Sequence, residues 1–281
     1  MSAVIDPVLV ASARDGDRDA LATLLDSLRG PLHRLAVSML WNREDAEDAT
    51  QEALIAVMTN LATFRGDASV STWAHRIAVR LYLRRRRSPI ESHALTFDAF
   101  AADLLDGLAA QDSTHPDAEL LAEETRMGCT LAVLQCLDRD ERLVFVLGDV
   151  LALSGQEAAD VLGVSHDVYR KRLSRVRSLI RHAVSHHCGL INPDAPCRCS
   201  KRVDAAIRSG RVNPDQLRFV DKDAAQQANQ QIQDLYDTTA LFRSAGRFDT
   251  PAELTASALA VLSGTRGPLD DLSPGAKFRR S

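Results

Sequence analysis

Aromatic residues are scarce in this 281-residue chain, with Trp 2, Tyr 3 and Phe 8 making up 5%. Sheets draw on aromatic and β-branched side chains, whereas Ala and Leu, both abundant here, favour helices. No stretch alternates at period two for long enough to suggest a sheet, and no internal repeat is visible. An all-α fold is expected. No run approaches the roughly 18 apolar residues that span a bilayer, so no membrane segment is expected. The opening "MSAVIDPVLVASARDGD" has no basic start followed by a long apolar core. It does not read as a secretory signal, and a cytoplasmic protein is expected. A phosphate loop, a nucleophile elbow and a zinc-protease signature are all missing, and no paired acid and base stand out; a non-enzymatic role follows. Only five cysteines occur, and in a reducing cytosol a permanent disulfide is not expected.

The formal net charge of −4 favours no partner class, but the charges are sorted. From Glu91 to Thr125 there are nine acidic residues and no Lys or Arg, while Arg170 to Arg181 carries six basic residues and no acidic one. Basic, acidic and basic blocks in series favour a nucleic-acid partner. Together with the apolar periodicity they divide the chain. Residues 6–90 form one small helical domain, with Gly30-Pro31 as a break or kink. Residues 91–118 form a flexible acidic linker with at most a short helix around Leu104 to Leu108. Residues 119–185 form a second helical domain. A helical, Cys/His-containing extension, expected to be regulatory, fills residues 186–281, with an amphipathic stretch at Ile232, Leu235, Tyr236, Leu241 and Phe242.

In the first domain, "REDAEDATQEALIAVMTNLATF" sets Ala46, Ala49, Ala53, Val57, Leu61 and Phe64 on one face and Asp45, Asp48 and Glu52 on another. A first-turn acid suits the helix dipole, but Glu52 lies two turns in. After the breaker "RGDASVS", with Ser71 or Thr72 as cap, comes "TWAHRIAVRLYLRRRR". Trp73, Ile77 and Leu81 make an apolar stripe; Arg76, Arg80, Arg84 and Arg87 make a cationic one. In the second domain, Ser154 and Glu157 form a capping box, and Gly163 suits a left-handed helix end. Ser165 caps a further helix, which buries Val168, Leu173, Val176 and Ile180 and exposes Arg170, Lys171, Arg175, Arg177 and Arg181. Two short helices about a glycine turn, the second basic, make a helix-turn-helix whose second helix reads the major groove.

These residues resemble the extracytoplasmic-function class of bacterial RNA polymerase sigma factors. The family's acidic "DAED…QE" helix appears as Asp45-Ala46-Glu47-Asp48 and Gln51-Glu52, and its "TW…RIA" as Thr72-Trp73 and Arg76-Ile77-Ala78. Its terminal module appears as Leu137, Glu141-Arg142, Ser154, Glu157, Ala159, Leu162-Gly163, Ser165, Arg172-Leu173, Arg175 and Arg177. The match covers roughly residues 6–185. The resemblance implies core RNA polymerase and promoter DNA as partners, with an anti-sigma factor as a further candidate. Asp45, Asp48, Gln51 and Glu52 would dock on polymerase. Arg65, Trp73, Arg76, Arg80 and Arg84 would hold the melted −10 element, where cations and aromatics suit a single strand. Ser165, His166, Tyr169, Arg170, Lys171, Arg172, Arg175 and Arg177 would meet the −35 element, and the acidic linker would thread the polymerase's basic channels. The alternative is a stand-alone helix-turn-helix regulator with a sensing module at its C-terminal end.

That module draws on His182, His186, His187, Cys188, Cys197 and Cys199, which gather within eighteen positions. Cys188, Cys197 and Cys199 with His187 make a Cys3His set for zinc. A redox pair and simple packing are the other two readings, and Cys129 and Cys136 read as small core residues.

Overall fold

The computed structural model describes residues 5–85, 95–220, 238–245 and 250–261. It is all-α: no strand forms among the described residues, and β-type pairing is confined to an isolated bridge between Cys188 and Cys197.

The first unit comprises α1 (Pro7–Arg14), α2 (Arg18–Leu40), α3 (Arg43–Asn60) and α4 (Val70–Arg84). Leu24, Leu25, Leu28, Leu32 and Leu35 of α2 are fully buried, as are Ala46, Ala49 and Ala53 of α3 and Ala74 and Ala78 of α4. Alanines at these positions let α3 and α4 lie close against the leucine row. Of the break or kink expected at Gly30-Pro31, the break does not occur: α2 continues through Pro31. A proline inside a helix costs about 3 kcal/mol. Leucines buried on both sides of it, at about 1.5–3 kcal/mol each, outweigh that. The cap of α4 is Ser69, two residues before the expected Ser71, and its hydroxyl accepts the Thr72 N–H at 3.0 Å.

The second unit comprises α5 (Phe97–Asp106), α6 (Ala118–Gln135), α7 (Arg139–Phe145), α8 (Gly155–Leu162) and α9 (His166–Ser185). Helix α7 widens into a π-type turn over Val146–Val150. The extension contributes α10 (Cys199–Arg208), α11 (Thr238–Ala245) and α12 (Glu253–Ala260). Ile232, Leu235 and Tyr236 of its amphipathic stretch lie outside the described residues; Leu241 and Phe242 are buried.

The linker carries a longer helix than expected, and its second half is docked on α10. Ala109 and Ser113 donate their N–H groups to the Lys201 and Ser200 carbonyls at 3.2 and 3.1 Å. Ser113 also donates to Asp204 at 2.6 Å, and Arg202 donates to the Asp103 carbonyl at 2.9 Å. Arg211 hydrogen-bonds and ion-pairs with Asp103, which holds that carboxyl below its ordinary pKa. A further clamp is Glu124 of α6, whose carboxylate accepts the N–H groups of Arg218, Phe219 and Val220 at 2.8, 3.0 and 3.0 Å.

The two units share one hydrophobic cluster. Helix α2 touches α6 and α7, and α4 lies along α8. Buried Arg142 of α7 ties the seam, donating to the Met39 carbonyl at 2.6 Å and to the Leu134 and Leu137 carbonyls at 2.9 and 3.2 Å.

Candidate nucleic-acid and polymerase interface

The helix-turn-helix forms as its sequence dictates. Ser154 and Glu157 exchange both capping-box bonds, at 3.2 and 2.9 Å. Gly163 ends α8 at φ +67°, a left-handed conformation that glycine adopts without penalty. The Ser165 hydroxyl caps α9 by accepting the Val168 N–H at 3.4 Å, so that oxygen is committed to the helix start. Along α9, Leu173, Val176 and Ile180 are buried, while His166, Arg170, Lys171, Arg172 and Arg175 are exposed on the outer face. Their charge meets little counter-charge nearby: Arg170 makes a loose 3.8 Å pair with exposed Asp167.

Two residues expected on that face are used otherwise. Tyr169 is 1% exposed and donates its hydroxyl to the Val144 carbonyl at 3.0 Å. It takes the inward place expected of Val168, which is exposed instead. A tyrosine fills more of the space beside the π-turn than a valine, and its hydroxyl finds a buried carbonyl. Arg177 forms a two-pronged pair with Asp149, at 2.8 and 2.6 Å. Asp149 is fully buried, and a buried carboxylate needs such a partner. The sequence signal for Asp149 was a lone acid within the apolar run "LVFVLGDVLAL".

On α4 the cationic stripe is divided. Arg80 and Arg84 are exposed, as is Arg65 in the preceding loop. Arg76 is half-buried and donates to the Asp160 carbonyl of α8 at 2.8 Å, so the second unit occupies it. Arg85 pairs with Glu52 at 3.1 Å, and Arg87 lies outside the described residues. Trp73 is half-buried, with its ring centroid 5.3 Å from that of Phe64 at a 54° tilt. This edge-tilted pair leaves part of the indole open beside the loop, a surface on which a base can stack. Next to it, His75 is buried; it pairs with the Ser71 carbonyl at 2.7 Å, and burial lowers its pKa.

On α3, Asp45, Asp48 and Glu52 are exposed and Gln51 is half-buried, opposite the alanine face that packs on α2 and α4. The Asn42 side chain caps the helix by accepting the Asp45 N–H at 3.0 Å, so capping does not need the acids.

In the extension, the bridge sets Cys188 against Cys197, with the Gly189 N–H donating to the Cys197 carbonyl at 3.0 Å and the Cys197 N–H to the His187 carbonyl at 3.1 Å. Cys199 opens α10, and its thiol is desolvated near Cys129 of α6, a neighbour that sequence distance concealed. Cys129, Cys188, Cys199 and His187 all border one small apolar cavity. Burial pushes the Cys197 thiol up to about 11 and raises Cys188 and Cys199 as well. Among the described residues no three His, Cys, Asp or Glu side chains are grouped so as to hold a metal ion. Cys188, Cys197, Cys199 and His187 therefore do not stand as a ready-made ligand set. The bridge aligns the first two cysteines, while the third belongs to a helix that packs on α6.

Residues 24–89 match the Sigma-70 region 2 family. The chain is 33% identical over 159 residues to the ECF RNA polymerase sigma factor SigE of Mycolicibacterium smegmatis, which covers 56% of this chain and 58% of that protein. It is 30% identical over 182 residues to SigM of Mycobacterium tuberculosis, covering 64% of this chain and 85% of the relative. It is also 30% identical over 187 residues to the sigma-E factor of Escherichia coli, covering 64% and 94%. With its acidic α3, its α4 arginines and its capped helix-turn-helix in that order, the chain belongs to the family of ECF RNA polymerase sigma factors.

Proposed function

We propose that this sigma factor binds core RNA polymerase through the acidic face of α3 and directs initiation by contacting promoter DNA at two places, with no catalysis of its own, in the cytoplasm. The observation that carries the reading is the outer face of α9. Arg170, Lys171, Arg172 and Arg175 project from a helix whose opposite face is sealed into a core and whose start is capped by Ser165. A rigid basic helix presented in this way fits the major groove at the −35 element. Arg65, Arg80 and Arg84, with the open part of Trp73, serve the melted −10 strand. Run-off transcription with purified core polymerase on a genomic fragment library tests the reading: specific start sites support it, and none overturns it. The alternative of a stand-alone regulator leaves the α3 acids without a role, and a core-polymerase pulldown separates the two.

Zinc on Cys188, Cys197, Cys199 and His187 requires those side chains to regroup. One zinc per chain in protein purified without chelator, lost in a Cys197→Ser, Cys199→Ser double variant, supports such a site. Metal-free protein returns the cysteines to packing.

A further inference from the structure

The two units that read DNA in the proposed function touch each other directly. Helix α4 lies along α8, and Arg76 reaches the Asp160 carbonyl at 2.8 Å. The −10 and −35 elements are centred about 25 base pairs apart, roughly 85 Å along B-DNA at about 3.4 Å per pair. One chain can occupy both only when its units separate, so the arrangement described here is a closed one.

The extension holds it closed from both sides. Helix α11 belongs to the second unit: Leu241 and Phe242 are buried, Phe242 packs edge-on to Phe145 with centroids 5.0 Å apart, and Arg243 donates to the Asp149 carbonyl at 2.9 Å. Helix α12 belongs to the first, packed on α2 and α3. Leu254, Thr255 and Ala258 are buried there, the Thr255 hydroxyl donates to Asp26 at 2.8 Å, and Arg29 donates to the Thr250 carbonyl. From Ala245 to Thr250 the chain takes five steps, a reach of at most about 18 Å. With both helices seated, the units cannot part by the distance that the promoter requires.

We propose that α12 is an in-chain latch, an autoinhibitory helix that must leave α2 and α3 before the sigma factor can span a promoter. This rests on the reading under Proposed function. Helix α12 yields before α11 because it buries a leucine, a threonine and an alanine, and Thr255 bonds to exposed Asp26, whereas α11 buries a leucine and a phenylalanine and satisfies the carbonyl of fully buried Asp149. The acidic stripe on α3 stays exposed with the latch seated, so polymerase can engage α3 first and the latch controls opening rather than encounter. A protein that is competent only when open binds with an apparent affinity reduced by its open fraction.

The test uses full-length Leu254→Asp and Ala258→Glu variants, each placing a charge on the seated face of α12 and changing no residue of the two units themselves. Both are expected to keep the parent's helicity, to show a larger radius of gyration in small-angle scattering, and to raise run-off transcription at limiting polymerase about tenfold. Parent-like scattering and parent-like output in both variants overturn the latch while leaving the sigma reading intact. Larger radii without core binding by any chain, parent included, support the latch and overturn the sigma reading instead.

Discussion

Arg175 and Arg177 lie two positions apart on one helix and have different tasks. Arg175 is exposed, and Arg177 neutralises buried Asp149. Arg175→Ala is expected to leave the melting temperature unchanged and to relax or weaken −35 recognition. Removing a base-reading side chain costs about 1–3 kcal/mol and loosens one position, whereas removing a phosphate-binding one weakens all sequences alike. Selection on randomised −35 sequences distinguishes these outcomes. Arg177→Ala strands a buried carboxylate and should lower stability in denaturant melts by about 3 kcal/mol, the lower end for breaking a buried pair, because the arginine itself is partly exposed. His33 gives a pH-dependent counterpart. It is 2% exposed and 3.2 Å from the Thr50 hydroxyl, and burial lowers its pKa to about 4. Unfolded, it takes up a proton near pH 6.5. Its contribution is therefore complete above pH 6.5 and is lost as pH falls toward 4. At about 1.4 kcal/mol per unit the loss is about 3 kcal/mol at the acid end. Urea melts of a His33→Gln variant should show a shallower decline over this window, with His75 supplying part of what remains.

At the scale of the element, the acidic face of α3 and the cationic face of α4 predict different phenotypes. Asp48→Lys with Glu52→Lys should weaken core-polymerase binding while circular dichroism stays unchanged, because both side chains are exposed and Asn42 alone makes the cap. Equal affinity for core would remove α3 from the docking surface. Replacing Arg80 and Arg84 by Gln should flatten the salt dependence of open-complex formation by about 0.7–0.9 in log–log slope for each phosphate left without its cation. Arg76→Gln should instead loosen the seam with α8, since its guanidinium faces the Asp160 carbonyl.

At the scale of the molecule, the two units and the extension share one hydrophobic cluster. Arg142 satisfies three carbonyls, one from the first unit and two from the second. Each buried carbonyl left without a donor costs about 1–3 kcal/mol. Arg142→Ala is expected to lower the melting temperature and to split a single calorimetric transition into two, one for each unit. A single unsplit transition at lower temperature would show that the apolar seam, rather than the arginine, couples them.

Helix positions, caps and polarity were legible in the chain itself, because capping boxes, glycine ends and apolar periods are local. Ser154–Glu157, Gly163, Ser165 and the exposed row Arg170, Lys171, Arg172 and Arg175 all stand where local pattern puts them. The order of an acidic helix, an arginine helix and a helix-turn-helix was enough to identify the family. Only the tertiary structure decided which arginines are free. Arg76, Arg142 and Arg177 look like their neighbours in sequence, yet each meets a carbonyl or a carboxylate brought from 84, 103 or 28 positions away. Pro31 sits inside a continuous helix for the same reason, since leucines packed by other helices hold α2 together on both sides of it. Periodicity shows that a face is apolar or charged, but a partner distant in sequence decides what that face touches. The seat of α12 on α2 and α3 is such a partner, and no local pattern encodes it.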